Sequence, residues 1–263
     1  MLPTDPTAKD LLLGGEIGIE GRLVDASNAT LYCSIELDGE QAHCVYKPIA
    51  GERPLWDFPD GTLAGREVAA FLVAEASGHQ LIPPTVLRDG PLGPGMVQLW
   101  VDTKENDDLV DVLPPDEVPG GWRRVLRAHD RFGEPAVLAH SDHEGVRMLA
   151  ALDVVLNNAD RKGGHVLHGT DGNVYGVDHG ICLHAENKLR TVLWGWSGEP
   201  LSADAIAMLE RLDDAHRGDL GAALDEHLTR REVRAVGQRI DRFLSTGVYP
   251  EPVTERPIPW PAF

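Results

Sequence analysis

Two aspartates and a histidine lie close together in the second half of the chain, in a pattern that suits metal binding and proton transfer. Asp160 and His165 share one polar loop, and Asp178 follows a short β-branched run. Asp171-Gly172 between them is a strong signal for a tight β-hairpin turn. Because a hairpin brings its two ends together, we expect Asp160, His165 and Asp178 to face one pocket. Phosphoryl transfer uses carboxylates at such a spacing.

The elements around these residues are predicted from hydrophobic periodicity and from capping residues. In the first half we expect strands at 17–24, 31–37, 41–47, 83–88 and 96–101, and one helix over 62–77 with Thr62 as its N-cap. In the second half we expect a loop with one short helical turn over 104–121, helices over 123–129, 144–157, 202–213, 217–228 and 230–245, and a hairpin of 166–168 with 174–177.

A lysine and a glutamate in the first half form a second candidate pair. Glu67 falls on the apolar face of the predicted helix over 62–77, where an unpaired carboxylate is costly. Lys47 ends an apolar strand and is the natural partner. A strand lysine paired to a helix glutamate is how kinases position ATP phosphates. An ordinary structural ion pair, or a glutamate at the edge of the apolar stripe, is the equal alternative.

Two further segments have residues suited to binding a nucleotide. Ser27 and Asn28 lie in a small, polar loop whose backbone amides and hydroxyl can cap a phosphate, although most such loops are simple turns. The strand over 96–101 leads into an acidic turn and can act as a hinge. Its backbone can hydrogen-bond an adenine edge while Leu99 or Trp100 packs nearby, or it is a core strand.

The residues near Asp160 can be given separate chemical roles. Asp178 is the best candidate ligand for Mg²⁺, which prefers oxygen donors. His165 is a poorer Mg²⁺ ligand, so it either binds phosphate or water or shifts the preference towards Mn²⁺. Asp160 can orient or deprotonate an acceptor hydroxyl. Arg161 or Lys162 can offset charge on the transferring phosphoryl group. The nearby helix also carries a buried acid, Asp153, which we expect to accept hydrogen bonds from the loop.

Charge and composition exclude several partners and locations. The formal net charge is −18, which repels nucleic acid and anionic lipid, so neither is an expected partner. The three cysteines show no metal-binding spacing and suit a reducing compartment. We find no signal peptide and no long apolar run, and therefore expect a cytoplasmic protein without membrane association.

Several of these motifs, taken in order, resemble the phosphoinositide 3/4-kinase-like family. The likeness is to type II phosphatidylinositol 4-kinases and their bacterial relatives, and more distantly to HipA-like and secretory-pathway kinases. It spans roughly residues 17–200 and rests on Lys47 after a hairpin, Glu67 on the next helix, Gln98-Leu99-Trp100-Val101, Asp153-x-x-x-x-Asn158-x-Asp160-Arg161, Val177-Asp178-His179-Gly180 and Trp194-x-Trp196.

This resemblance implies an α+β, two-lobed atypical protein-kinase-like fold. The β-rich N-lobe would span 1–101, the mainly helical C-lobe 102–249, and a proline-rich tail, on the surface or free, 250–263. By the same likeness, Lys47 would contact ATP phosphates and Glu67 would hold it. Asp160 would be the acid/base and Asp178 the metal ligand. The 27–28 loop would cover the phosphates, and strand 98–101 would contact adenine.

The sequence departs from the family at the loop. His165 stands where the family has a metal-binding asparagine, His179 replaces Phe or Asn, and the phosphate loop lacks glycine. We therefore predict an ATP- and Mg²⁺- or Mn²⁺-dependent phosphotransferase whose acceptor is a protein or small soluble molecule. Phosphatidylinositol kinase, AMP transfer on the same scaffold, and a nucleotide-binding pseudokinase are the alternatives.

Overall fold

The computed structural model describes residues 1–23, 29–105, 107–130 and 132–263. Its first half is built on a five-stranded antiparallel sheet in the order β1-β2-β3-β5-β4. These strands are β1 Glu16–Arg22, β2 Leu31–Leu37, β3 Glu40–Pro48, β4 Thr85–Gly90 and β5 Gly93–Leu99. All five were predicted, with small differences in their ends. The turn between β2 and β3 is Asp38-Gly39, and both residues have positive φ, as a two-residue hairpin requires.

Helices cover both faces of this sheet. α1, Ala8–Gly14, was not predicted, and it packs on the face that carries Cys33, Tyr46 and Leu99. α2, Leu63–Ala76, lies on the opposite face. Thr62 is its N-cap as predicted, with its hydroxyl accepting a hydrogen bond from the Gly65 amide at 2.9 Å. The sheet therefore turns one face to its own core and the other to α2 and to a cavity.

The second half is mainly helical around one large core. The helices are α3 Glu144–Leu156, α4 Ala203–Arg217, α5 Asp219–Leu224 and α6 Arg230–Thr246. The predicted hairpin is present as β9 Val166–His168 with β10 Val174–Gly176. Ser202 and Thr229 cap α4 and α6. Apolar residues of α2, α3, α4 and α6 meet in this core, so the position of α2 is tied to both halves.

A second antiparallel sheet, in the order β6-β8-β7, corrects the prediction for residues 104–141. Its strands are β6 Val110–Leu113, β7 Trp122–His129 and β8 Pro135–Ser141. The predicted helix over 123–129 is wrong, because this segment pairs along its length with β8. Short apolar runs do not distinguish helix from strand without knowledge of the partner. The predicted loop over 104–121 likewise contains β6.

Residues 250–263 form neither helix nor strand, as their prolines predict. They do not trail free, because Ile258 and Ala262 pack against the core of the second half. Over the described part of the chain, no helix is both long and apolar enough to cross a membrane. The cytoplasmic location and the lobe boundaries at 101 and 249 stay predictions.

Candidate functional site

A cavity between the sheet and the second half brings together four of the predicted residues. Lys47 comes from β3, Glu67 from α2, Asp160 from the loop after α3, and Asp178 from the segment after β10. The remaining lining residues come from the same elements and their neighbours: Ala29, Pro48, Glu52, Leu63, Ala64, Gly180 and Ile181. Four groups that are far apart in the chain thus share one space.

Lys47 lies between two carboxylates. Its Nζ is 2.5 Å from Glu67 Oε1 and 2.9 Å from Asp178 Oδ1. The predicted pairing of Lys47 with the buried Glu67 is therefore present. Burial alone lowers the pKa of Lys47, but the carboxylates of Asp178 and Glu67 outweigh it and raise that pKa above its usual value. Lys47 is consequently a fixed positive charge.

The pKa values of these two carboxylates shift in opposite directions because their surroundings differ. Glu67 is only 2% exposed, and burial raises its pKa although Lys47 opposes the change. Its second oxygen accepts a hydrogen bond from the His179 amide at 3.2 Å. Asp178 is half exposed, and the positive charge of Lys47 lowers its pKa. Asp178 is thus an ionised, accessible carboxylate at the edge of the cavity.

Asp178 has an unusual backbone conformation. Its φ is 58°, in the left-handed region that aspartate enters more readily than most residues. The neighbouring His179 is fully buried, and its Nε2 accepts a hydrogen bond from Arg161 Nη2 at 2.6 Å. Burial lowers the pKa of His179 well below its usual value, which keeps this imidazole neutral. The chain therefore turns sharply with His179 inward and Asp178 towards the cavity.

The loop after α3 is held by buried polar groups. Asn157 ends the helix in the left-handed conformation. The side chain of Asn158 donates to Asp153 Oδ1 and accepts from the Asp160 amide, both at 3.0 Å. Arg161 is fully buried and donates to both oxygens of Asp153 at 2.9 Å. Asp153 thus accepts hydrogen bonds from the loop, as we predicted.

The structure separates Arg161 from the residues that line the cavity. Its guanidinium points to Asp153 and also donates to the carbonyl of Val177 at 2.9 Å. Its backbone pairs with Thr191 in a parallel bridge. Asp160, the residue before Arg161, lines the cavity, and the positive charge of Lys162, the residue after it, acts on Asp160. Arg161 therefore binds the loop to the segment before Asp178, with its guanidinium buried away from the cavity.

Asp160 is poised for proton transfer near neutral pH. Burial raises its pKa to about 6, against the opposing positive charge of Lys162 and with a further contribution from Asp178. A general base works best when its pKa lies near the operating pH. The positive charges of Lys162, Arg190 and Arg161 oppose this rise. The group can thus accept a proton from a hydroxyl in the cavity.

His165 faces Asp178 across the loop. Its Nδ1 is 3.1 Å from the carbonyl oxygen of Asp160, which can only accept, so we assign the proton to Nδ1. The Lys162 amide lies 3.5 Å from the same nitrogen, and with the proton on Nδ1 this contact is not a hydrogen bond. The lone pair of Nε2 then lies 3.6 Å from Asp178 Oδ2. Burial lowers the pKa of His165 to about 4, so the imidazole is neutral.

These two groups have the chemistry of a cation site. A neutral imidazole lone pair beside a carboxylate oxygen is a donor set for a divalent transition ion. Within residues 1–23, 29–105, 107–130 and 132–263, no cluster of three or more His, Cys, Asp or Glu side chains could hold a metal. A cation at Asp178 and His165 would therefore need further donors from a ligand or water.

The predicted nucleotide-binding segments are placed differently. Gln98 is buried and donates to the Thr85 hydroxyl at 2.8 Å. The side chain of Leu99 belongs to the core under α1, on the sheet face away from Lys47, and its amide donates to Pro84. The Leu99 side chain therefore does not line the cavity. The predicted phosphate loop, Ser27-Asn28, lies outside the described residues.

Trp100 is the aromatic residue of this segment that lies on the cavity face of the sheet. Its ring meets the Tyr32 ring edge-on at a centroid distance of 4.9 Å, and its amide donates to His43 at 3.0 Å. Val101 next to it is buried. Of the later tryptophans, Trp196 is fully buried, whereas the Trp194 indole donates to Pro257. The adenine contact of 98–101 stays a prediction.

Sequence reasoning missed two residues that shape the site. Glu52 lines the cavity and accepts hydrogen bonds from the first two amides of α2, at 2.9 Å and 2.8 Å. It lies too far before the helix for a local capping motif to reveal it. Asn157 donates to two carbonyls of the 184–186 segment and accepts from the Lys188 amide. An asparagine at a helix end was the available signal.

Comparison with solved structures shows an atypical-kinase-like, two-lobed fold. A crystal structure of the Golgi casein kinase with Mn/ADP bound matches 90% of this chain and 74% of its own, at a TM-score of 0.53 and 14% identity. Another structure of the Golgi casein kinase matches 90% and 72%, at a TM-score of 0.52 and 13% identity. At this identity the likeness concerns the fold alone. The predicted fold class is confirmed.

Comparison by sequence gives a much nearer relative. No family model matches the chain. Protein Rv2133c of Mycobacterium tuberculosis (strain ATCC 25618 / H37Rv) is 51% identical over 262 residues, which cover 96% of this chain and 94% of that protein. Identity of this extent over nearly both full lengths establishes common descent, and the chain belongs to the family of Protein Rv2133c.

Proposed function

We propose that this chain is an ATP- and divalent-metal-dependent phosphotransferase that acts on a hydroxyl of a protein or small soluble molecule. One observation carries the proposal: Lys47 Nζ lies within 2.9 Å of both Glu67 and Asp178, in a cavity that Asp160 also lines. Phosphoryl transfer depends mainly on positioning and on charge stabilisation. These four residues can supply both.

Each residue has a distinct task in this proposal. Lys47, held by Glu67, neutralises ATP phosphates. Asp160 accepts the proton of the acceptor hydroxyl, which suits its pKa of about 6. Lys162, whose positive charge acts on Asp160, offsets charge on the transferring group. Arg161 keeps the loop in place through Asp153, since it is buried away from the cavity.

Asp178 and His165 are the residues that would hold the metal. When bound, the ion would neutralise charge on the phosphates of the nucleotide. Because these residues provide one carboxylate and one imidazole, we propose a preference for Mn²⁺ over Mg²⁺. The Golgi casein kinase, crystallised with Mn/ADP, supports the combination of nucleotide and divalent metal in this fold.

For adenine we propose a binding region, and for the acceptor a chemical class. We propose that adenine lies by residues 98–101, at the end of β5, with Trp100 beside it, and that the 27–28 loop covers the phosphates. A net charge of −18 disfavours an anionic membrane surface, so a soluble acceptor is favoured over phosphatidylinositol. The type II phosphatidylinositol 4-kinase likeness therefore supports the chemistry more than the lipid substrate.

ATP turnover in Mn²⁺ and in Mg²⁺ tests the proposal. Asp160→Ala and Asp178→Ala should each abolish turnover while the chain stays folded. Asp241→Ala, an exposed aspartate on α6 (66% exposed), is the matched control and should retain activity. Full activity of both site variants would overturn the assignment.

Mass spectrometry of the product separates the alternatives. A phosphate adduct on the acceptor supports the proposal, whereas an adenylate adduct would replace it with AMP transfer. A thermal-shift titration with ATP and metal completes the test. Nucleotide binding without turnover in the wild-type chain would indicate a pseudokinase.

A further inference from the structure

The proline-rich segment 250–263 lies along the loop that carries Asp160. The carbonyl of Pro257 accepts hydrogen bonds from the Thr191 amide at 3.0 Å and from the Trp194 indole at 2.9 Å. The carbonyl of Ala262 accepts one from the Gly163 amide at 2.8 Å. Thr191 itself pairs with the backbone of Arg161. The segment is thus hydrogen-bonded to the loop and to the Thr191–Trp194 segment beside it.

The contact at Gly163 is unusually close. A Cβ atom built on Gly163 would lie 2.0 Å from Cε1 and 2.4 Å from Cζ of Phe263, so the ring rests directly on the glycine backbone. Real Cβ atoms do not approach other atoms so closely. A Cβ on the next residue, Gly164, would meet nothing within 4 Å. Of these two glycines, Gly163 is the one whose side-chain position is occupied, by the Phe263 ring.

The segment is anchored independently of the loop. Ile258 and Ala262 pack against the hydrophobic core of the second half. Upstream, the Ser197 hydroxyl donates to the Pro250 carbonyl at 3.1 Å. Prolines restrict the backbone of this segment before it docks, so less conformational entropy is lost on docking. The position of Phe263 against the loop is therefore set by contacts that do not involve the loop.

The loop is held on both sides of its two glycines. Before them Arg161 is buried on Asp153, and after them the His165 carbonyl accepts hydrogen bonds from Arg161 Nη1 at 3.2 Å and from the Val177 amide at 3.0 Å. Gly163 and Gly164 lie between these anchors, and glycine has the largest backbone freedom of any residue. These two glycines separate Lys162 from His165. Movement there would change the distance between His165 and Asp160 without breaking the buried ion pair.

We infer that residues 257–263 act as a positioning clamp, in which Ala262 and Phe263 hold Gly163 and thereby set the geometry of Asp160 and His165. The inference rests on the proposed function. Phe263 and Ala262 are positioning residues, since they contact the loop and not the cavity. A misplacement of reacting groups by about 1 Å can cost about 100-fold in rate.

The first test compares Phe263→Ala with Trp260→Ala. Trp260 is the matched control, an aromatic residue of the same segment that is 93% exposed. Phe263→Ala should lower kcat at least about tenfold. The KM for ATP should change far less, because Lys47 and the 98–101 strand lie in the other half. Trp260→Ala should leave both constants unchanged, and Phe263→Tyr, which keeps the ring, should restore kcat.

The second test is a double-mutant cycle. Gly163→Ala should lower kcat because its methyl group displaces the Phe263 ring, whereas Gly164→Ala should have a smaller effect. Adding Phe263→Ala to Gly163→Ala should cost much less than Phe263→Ala costs alone. Independent additive losses would overturn the clamp, because they would show that the two residues do not act through one contact.

Amide hydrogen exchange separates this inference from the proposed function. In the full chain with Phe263→Ala, exchange at residues 160–165 should accelerate, since the Gly163 amide loses its ordered acceptor. Unchanged exchange together with unchanged kcat would refute the clamp while ATP turnover stands. Absence of turnover in the wild-type chain refutes the proposed function, and the exchange result then tests the clamp as a structural contact alone.

Discussion

Replacing Asp160 by asparagine should inactivate the protein and at the same time stabilise it at neutral pH. The pKa of this carboxyl is raised from 3.8 to about 6, chiefly by burial, so the folded protein holds its charge at a cost. An amide of the same shape carries no charge and avoids this cost. The same amide could not accept a proton from the acceptor hydroxyl. Loss of activity and gain of stability should therefore occur in one variant.

The size of the gain follows from the pKa shift. A rise from 3.8 to about 6 corresponds to about 3 kcal/mol at 1.36 kcal/mol per unit. Asp160 is only partly buried, and solvent screening reduces the value to about 1–2 kcal/mol. For a chain of this length, such a change raises Tm by about 2–8 °C.

The same pKa shift fixes how the difference in unfolding free energy between the wild type and Asp160→Asn changes with pH. Below pH 3.8 the carboxyl is protonated in both states, so the wild type and Asp160→Asn differ little. Between pH 3.8 and about 6 the unfolded chain releases the proton and the folded chain keeps it, so wild-type stability falls as pH rises. The advantage of the variant should be complete above pH 6 and about half as large near pH 5.

Urea unfolding of both proteins in EDTA, without nucleotide, measures this difference. Midpoints and slopes should be compared near pH 7.5 and near pH 5, about the range over which the group titrates. Asp241→Asn, an exposed aspartate, is the control and should shift neither midpoint. Destabilisation by Asp160→Asn near pH 7.5, or an equal gain at both pH values, would refute the argument.

Three other changes test the surrounding contacts. Asp153→Ala should cost about 3–5 kcal/mol in urea unfolding, because Arg161 stays buried without its partner. Lys47→Met should abolish the thermal shift produced by ATP, and it should lower stability at neutral pH because Glu67 stays buried without its partner. Adding Glu67→Gln to this variant should restore part of the stability but none of the thermal shift. His165→Asn should raise the ratio of turnover in Mg²⁺ to turnover in Mn²⁺, measured at saturating metal, and an unchanged ratio would exclude His165 as a ligand.

The parts of the site that the sequence predicted are those with a local or periodic cause. Asp171-Gly172 predicts a hairpin, and the hairpin, whose turn spans residues 169–173, places Asp178 opposite the loop. Glu67 interrupts an apolar helical face, which implies a buried cation partner, and Lys47 is that partner. In both cases a few residues in the sequence were enough to predict a contact between distant parts of the chain.

The parts that were not predicted depend on partners far away in the chain. β7 is a strand because β8 pairs with it, and its own apolar spacing is compatible with a helix. Glu52 reaches α2 from eleven and twelve residues before the amides that it binds. Leu99 was grouped with Trp100, but side chains alternate along a strand, so one faces the core under α1 and the other the cavity face.

Gly163 shows how a local and a distant cause combine at one loop. Two adjacent glycines in the sequence indicate only a flexible loop, and nothing nearby distinguishes the first from the second. The distinction comes from Phe263, whose ring occupies the space of a side chain at Gly163 and leaves the space at Gly164 open. Asp153 orders the same loop from within its own helix through Arg161. If both supports are needed, loss of either one should lower kcat, but only loss of the Asp153 contact should also lower the free energy of unfolding markedly, since only that loss leaves the buried Arg161 without its carboxylate partner.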